Sequence, residues 1–141
     1  MILTKIQEAS TLYPDNIALQ TKTAEGYRKY TYRDVVRIIA STAQSLRDRG
    51  IRRGDRVAVF SENRPEWIFA YLSVAAMGAV VVPLDAQLTE KEVAVLLSNA
   101  GATAVCASAS TAPKLPRNGH HTVISFDGGS GISFADLVSA R

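Results

Sequence analysis

The sequence predicts an α/β fold: a mostly parallel sheet with helices on both faces and an opening β-hairpin. Two observations carry this. The run from Arg56 to Asp85 reads as strand, helix and second strand without a break, and such a unit closes as a right-handed βαβ crossover. Beyond it, short β-branched runs keep alternating with segments of helical periodicity, the pattern of a sheet layered between helices. Length and composition fit one unit over residues 1–141, with a single core that buries about two-thirds of the surface the unfolded chain exposes.

Taken in order, Ile2 to Leu12 has apolar residues at helical spacing and ends before Pro14. Ile17 to Lys22 and Tyr27 to Tyr32 pair as a hairpin across a loop holding Gly26. Thr31 caps a helix from Tyr32 to Arg49, with Asp34 in the capping-box position. Val35, Val36, Ile39, Ala43 and Leu46 mark its buried stripe, and Gly50 closes it. Gly54 and Asp55 turn into the first parallel strand, Arg56 to Phe60.

Ser61 to Arg64 interrupts that strand with polar groups. Asn63 then caps a helix, Glu66 can reach back to the cap, and Pro65 sits in the first turn where its missing N–H costs nothing. From Trp67 to Met77 the helix is apolar nearly all round, and Gly78 ends it in a left-handed or closely packed position. Val80 to Leu84 is a continuous apolar run of the kind that fills an interior strand. Thr89 caps the next helix with Glu92 three residues on; Val93, Leu96 and Leu97 face inward and Gly101 stops it. Thr103 to Ala107 and Thr122 to Phe126 are short strands, Ser108 to His121 is a surface loop rich in Ser, Thr, Pro and Gly, and Ser133 to Ala140 is a last helix.

Composition narrows the function classes. The net charge is +3, with Arg47, Arg49, Arg52, Arg53 and Arg56 concentrated at one helix end and turn. No aromatic residues interleave with them for base stacking, so a nucleic-acid partner is not expected. Cations at a helix C-terminus favour its dipole, which makes a solvated surface role the better reading. The longest apolar stretch, Trp67 to Leu84, contains Gly78 and Pro83 and reads as a core unit, not a membrane span of about 20 residues. The first residues are too short and polar a run for a signal peptide. One cysteine excludes an internal disulfide and suits a reducing, cytoplasmic setting.

Several local features invite a chemical reading, each with a plainer one beside it. The segment DGGSGIS, Asp127 to Ser133, lies between a strand and a helix as a phosphate-binding turn would. It has no Walker lysine and no dinucleotide glycine spacing, so a flexible turn suffices. His120 and His121 are adjacent and point to opposite sides of an extended chain; with no Cys, Asp or Glu at ligand spacing, no metal site is expected. Cys106 sits in an apolar strand without a base and reads as a small buried hydrophobe, not a nucleophile. Trp67, Phe69 and Tyr71 either line an acyl pocket or, as their helical spacing favours, pack in the core. Ser61 to Glu66 lies at the carboxyl end of a parallel strand, where open α/β sheets bind ligands, although capping also accounts for it. No residue is assigned a catalytic role.

The segments SENRPEW, AAMGAVVVPLDAQLT and LLSNAGATAV, together with YPDNIAL, YTYRDVV and GIRRGDRVAV, occur here in one order from about Tyr13 to Ser108. In order and spacing they resemble the early part of the adenylate-forming (AMP-binding) enzymes, specifically acyl-CoA synthetases. NRPEW followed by GAVVVPL resembles the fatty acyl-CoA synthetases, long-chain fatty acid–CoA ligases among them, more than the amino-acid-activating or luciferase branches. The resemblance implies the N-terminal portion of a larger AMP-binding domain. It implies an ATP-dependent carboxylate–CoA ligase using ATP, CoA and Mg2+ on a fatty acid or other carboxylate, by acyl-adenylate formation and then thioester formation.

It also implies Lys114 and Arg117 as contacts for the CoA 3′-phosphate, since some acyl-CoA synthetases place basic residues in that loop; solvated loop charges are the plain reading. The family's Ser/Thr/Gly-rich, lysine-ended phosphate loop has no counterpart here, nor have its later catalytic groups. The chain is therefore expected to be inactive by itself, and to self-associate through apolar surfaces that a larger domain would cover. The alternative is a free-standing small α/β module that binds a nucleotide or a protein without catalysis.

Overall fold

In the computed structural model, which describes residues 1–139, five parallel strands form one sheet. Their order is β4 (Val80–Leu84), β3 (Arg56–Phe60), β5 (Ala102–Ala107), β6 (Thr122–Ser125) and β7 (Ile132–Ser133). The first crossover, α3 (Pro65–Ala76), carries the chain from β3 to β4 at one side. The next, α4 (Glu90–Ala100), carries it back past β3 to β5. Because right-handed crossovers running in opposite directions fall on opposite faces, α3 and α4 flank the sheet from two sides. The reversal also makes the gap between β3 and β5 a topological switch point, where open sheets leave a crevice at the carboxyl ends.

Side chains alternate across the strands accordingly. Val57, Val59, Ala104, Cys106 and Ile124 face a core shared with α2 (Tyr32–Asp48), α3 and α5 (Phe134–Ser139). Ala58, Phe60 and Val105 face a smaller core with Val93 and Leu97 of α4. A separate antiparallel hairpin, β1 (Ile17–Thr23) and β2 (Gly26–Thr31), leads into α2, and α1 (Ile2–Leu12) lies outside with no buried residue. Thr31–Asp34 and Thr89–Glu92 both close as full capping boxes, so side chain and backbone satisfy each other at the starts of α2 and α4. Gly101 closes α4 in the left-handed conformation at φ +63°, and Gly78 follows α3 at φ +80°.

The structure corrects several sequence expectations. Val80–Leu84 is an edge strand, not an interior one: Val80 is 48% exposed and Pro83 is exposed. Val80 donates to Asp55 O at 2.7 Å, so by alternation Val81 and Pro83 turn their backbone outward, and Pro83 has no N–H to leave unpaired there. Asn63 does not cap α3; Arg64 is the cap residue, no side chain caps the helix, and Glu66 is drawn to the Arg64 side chain instead. In α2, Ile38 is buried and Val36 only half-buried; in α4, Leu96 is 39% exposed, because α4 meets the sheet along the narrow Val93–Leu97 line.

The segment Ser108–His121 is not all surface loop. Ser108 and Thr111 are fully buried, and a 3-10 turn spans Ala112–Lys114. The two-residue strand β7 precedes the last helix, which is assigned over Phe134–Ser139; Ala140, expected as its end, lies outside the described residues. None of the described helices is long and apolar enough to cross a membrane.

Candidate functional site

At the carboxyl ends of β3, β5 and β6 the chain gathers polar groups from three separate segments. Arg64 is the hub, delivered there by the break after β3 and the start of α3. Its Nη1 and Nη2 donate to the two Asp127 carboxylate oxygens at 2.9 and 2.8 Å, a two-point geometry that fixes direction as well as distance. Nε donates to Glu66 at 2.8 Å, Glu62 stands at 3.5 Å, and the guanidinium lies 5.5 Å from the Phe126 ring centroid. Three carboxylates therefore surround one cation.

Glu62 extends the network to the segment after β5. Its Oε2 accepts from Ser108 Oγ at 2.6 Å and Ser110 Oγ at 2.9 Å. Asp127 accepts the Ala109 N–H at 2.7 Å, and Thr111 Oγ1 donates to Phe60 O at 2.5 Å. Partial burial by itself raises the Glu62 carboxyl's pKa, but the hydrogen bonds from Ser108, its own backbone and Ser110, with the Arg64 charge, outweigh it and hold the group below its ordinary value. The Arg64 hydrogen bonds hold Asp127 low against a smaller burial effect, and the same contact raises Arg64. Both acids are ionised at neutral pH.

The residues singled out in the sequence divide between this crevice and other places. Ser61–Glu66 is at its centre, as an ion-paired anchor and not as a helix cap. Lys114 lies next to it: Nζ donates to Ala86 O at 2.8 Å and stands 5.9 Å from the Phe60 ring centroid. Arg117 is exposed; with Lys114, Lys91 and Glu90 it borders an open cleft of about 370 Å³ between the 3-10 turn and the start of α4. Phe69 belongs to the core, edge-on to Tyr30 at 5.0 Å. Trp67 and Tyr71 stack at 5.2 Å and wall an apolar groove of about 470 Å³ beside Ile6 and Leu19.

Cys106 is buried, and burial pushes its thiol up to about 12, which leaves no thiolate at neutral pH. His121 is held below its ordinary value by burial and by His120. Among the described residues no three His, Cys, Asp or Glu are placed to hold a metal ion. Glycines 128, 129 and 131 have positive φ. The sequence marks Asp127 only as the head of a candidate turn; its pairing with Arg64, and the bonds of Ser108 and Ser110 to Glu62, escape sequence reasoning, because those partners lie 46 to 63 residues apart and no local spacing marks them.

Comparison with known proteins follows the same boundaries. The profile of the AMP-binding enzyme family matches residues 6–135. Crotonobetaine/carnitine–CoA ligase of Salmonella paratyphi A is 36% identical over 107 residues, which is 75% of this chain and 21% of that protein. The same-named ligase of Salmonella enteritidis is 39% identical over 62% of this chain and 17% of that protein. Among solved structures, a protein assigned as a long-chain-fatty-acid CoA ligase from Rhodopseudomonas palustris superposes with a TM-score of 0.81 at 30% identity, over 95% of this chain and 35% of that one. The N-terminal subdomain of Klebsiella oxytoca NpsA, solved with 3-hydroxyanthranilyl-AMSN, gives 0.75 at 28% identity, over 94% and 30%. The chain thus spans about a fifth of the length of the curated relatives it matches.

Proposed function

This chain belongs to the AMP-binding enzyme family, and from that premise we propose that it is the N-terminal part of an ATP-dependent carboxylate–CoA ligase. The match over residues 6–135, together with the CoA ligases among its relatives, carries the reading. In such a ligase a carboxylate oxygen attacks the α-phosphorus of ATP, pyrophosphate leaves, and the CoA sulfur then displaces AMP from the acyl carbon. The substrate class we propose is a fatty acyl carboxylate, supported by the long-chain relative. The crotonobetaine and carnitine relatives favour a small trimethylammonium acid as the competing substrate.

Within that scheme this chain supplies scaffold and one wall of the CoA approach. The Arg64 crevice has three carboxylates to one guanidinium, a charge balance that repels a triphosphate and assigns nucleotide binding to other parts of the ligase. Lys114 and Arg117, on the cleft beside α4, have the charge and reach to meet the CoA 3′-phosphate. The magnesium implied by the family finds no fitting ligand set among the described residues, since Glu62, Glu66 and Asp127 are already engaged by Arg64 and by hydroxyl or amide donors. No step is routed through it.

The test is an ATP–pyrophosphate exchange and AMP-release assay on the natural-length protein, with fatty acids of several lengths and crotonobetaine. AMP release that needs carboxylate, ATP and CoA together is the expected result. The 141-residue chain alone should give exchange at background, because it holds no lysine-ended phosphate loop. A natural product ending at Arg141 that binds nucleotide or a protein without turnover would overturn the proposal in favour of a free-standing module.

A further inference from the structure

The segment that leaves β5 at the switch point is tied to its surroundings at several points, the farthest along being Lys114 Nζ on Ala86 O at 2.8 Å. Thr111 ties it to the Phe60 carbonyl, Ala109 N–H bonds Asp127, and Glu62 receives the Ser108 and Ser110 hydroxyls together. Glu62 is the acceptor that joins two points of the segment to β3, and its side chain is 48% exposed, outside either core. Beyond Thr111 the chain is stiffened by Pro113 and Pro116 and by the 3-10 turn Ala112–Lys114. A stiff arm hinged at residues 108–111 carries a shift of its base on to the exposed Arg117, and to Lys114 against that residue's own bond to Ala86 O.

We infer that Glu62 is a positioning residue: acting through Ser108 and Ser110, it sets where Lys114 and Arg117 stand, and thereby the affinity for the phosphate-bearing thiol co-substrate. It takes no part in adenylate formation. This rests on the ligase reading above and goes beyond it by naming a residue that acts on one half-reaction from outside the cleft. A carboxylate suits the task because charge-assisted bonds from two hydroxyls are stronger and more directional than neutral ones. The Ser108 contact spans 46 residues of sequence, so it couples β3 to the basic segment directly.

Two measurements test it. In this chain, Glu62→Ala should speed amide exchange across residues 109–117 by about tenfold, the worth of one or two charge-assisted hydrogen bonds, with the β3 and α2 amides unchanged. In the natural-length ligase, the same variant should raise KM for CoA by about tenfold while the pyrophosphate-exchange rate and KM for ATP stay within about twofold, with Glu62→Gln falling between. Unchanged exchange in residues 109–117 overturns the positioning role, and so does an equal loss in both half-reactions. Arg117→Ala separates the two ways to fail. If it raises KM for CoA and Glu62→Ala does not, positioning falls and the CoA reading stands. If Glu62→Ala loosens the segment but neither variant moves KM for CoA, the CoA assignment of the basic segment falls with the inference.

Discussion

At the carboxyl ends of the parallel strands a single guanidinium, Arg64, faces three carboxylates, whereas at the amino ends Arg49 and Arg56 donate to backbone carbonyls. Arg56 Nε donates to Ala100 O at 2.7 Å, the last carbonyl of α4, and Arg49 Nη1 donates to Ser45 O at 3.2 Å, a carbonyl of the last turn of α2 that also accepts the Arg49 N–H. Arg53 lies over Gly78, its Cγ 3.1 Å from where a β-carbon would sit. The amino-end cations finish local elements. The carboxyl-end cation joins segments that are distant in sequence, and that end is where α/β sheets do their chemistry.

The contrast predicts unequal costs. Arg64→Ala removes three hydrogen bonds and leaves Glu62, Glu66 and Asp127 facing one another without a counter-charge. It should destabilise the chain by about 2–4 kcal/mol in urea titration, given hydrogen bonds to charged groups and the repulsion left behind. Arg56→Ala, which loses one cap contact, should cost about 0.5–1 kcal/mol. Equal losses from the two variants would erase the distinction between the two ends.

The two ends also differ in how far the sequence reveals them. Thr31–Asp34, Thr89–Glu92 and Gly101 are local signals, each read within one helical turn, and the structure realises all three. The alternation of strands and helices gave the layered parallel sheet for the same reason. Sheet order is another matter. An apolar run reads the same at an edge as in the interior, and only Pro83, which cannot donate, marked β4 as an edge. The crevice was least legible. Ser61–Glu66 stood at a strand end and could be placed there, but capping by Asn63 lost to Arg64, whose partners Asp127 and Glu62 compete for the local groups. Ser108, Ser110 and Asp127 join only through the β3–β5–β6 order, which no local pattern encodes.

Glycine substitutions sharpen the comparison at the next scale. A β-carbon at Gly131 would sit 2.6 Å from Val123 O, a backbone atom of β6, at φ +97°. At Gly78 the neighbour is the flexible Arg53 side chain, which can move aside. Gly131→Ala should therefore cost about 2–3 kcal/mol and Gly78→Ala about 1–1.5 kcal/mol, both read by thermal melts. Replacing Gly78 with Val should exceed the roughly 1 kcal/mol of ordinary propensity differences, since branching adds crowding at positive φ. Gly78→Val melting as wild type would refute the close packing at the amino end.

Below about pH 4 acid should act on the carboxyl end. Asp127 and Glu62 are held below their ordinary values of 3.8 and 4.5, so their contribution is present above those values and is lost as pH falls through the lower folded-state ones. Asp34 and Glu92, held low chiefly by the Thr31 and Thr89 backbone N–H groups, titrate in the same direction and supply the background. Stability should ease as pH falls below about 6.5, where the unfolded chain protonates His121 before the folded one does, and fall more steeply below about pH 4. In Asp127→Asn it should start lower at neutral pH and fall less steeply below about pH 4. An unchanged acid slope in that variant would move the sensitivity to the capping boxes.

The smallest effect concerns association, where the amino-end arginines and the apolar surfaces make opposite forecasts. Strand addition at β4 is poorly served, because Val81 offers the only outward backbone N–H between Val80 and Leu84 and Pro83 offers none. Val95 and Leu96 of α4, at 57% and 39% exposure, and Ile68 beside the Trp67–Tyr71 groove remain for self-contact. Apolar area yields on the order of 25 cal/mol per Å², so such patches support weak dimers through helix faces around β4 and not through the arginine turn. Light scattering over a salt series reads the difference. A hydrophobic contact persists or strengthens as sulfate is raised, while an arginine-mediated one dissolves once charges are screened within about 3 Å at 1 M salt. Leu96→Glu should weaken the dimer several-fold, about 1 kcal/mol, and Arg56→Ala should leave it unchanged. The reverse pattern would give the amino end a role beyond finishing its own helices.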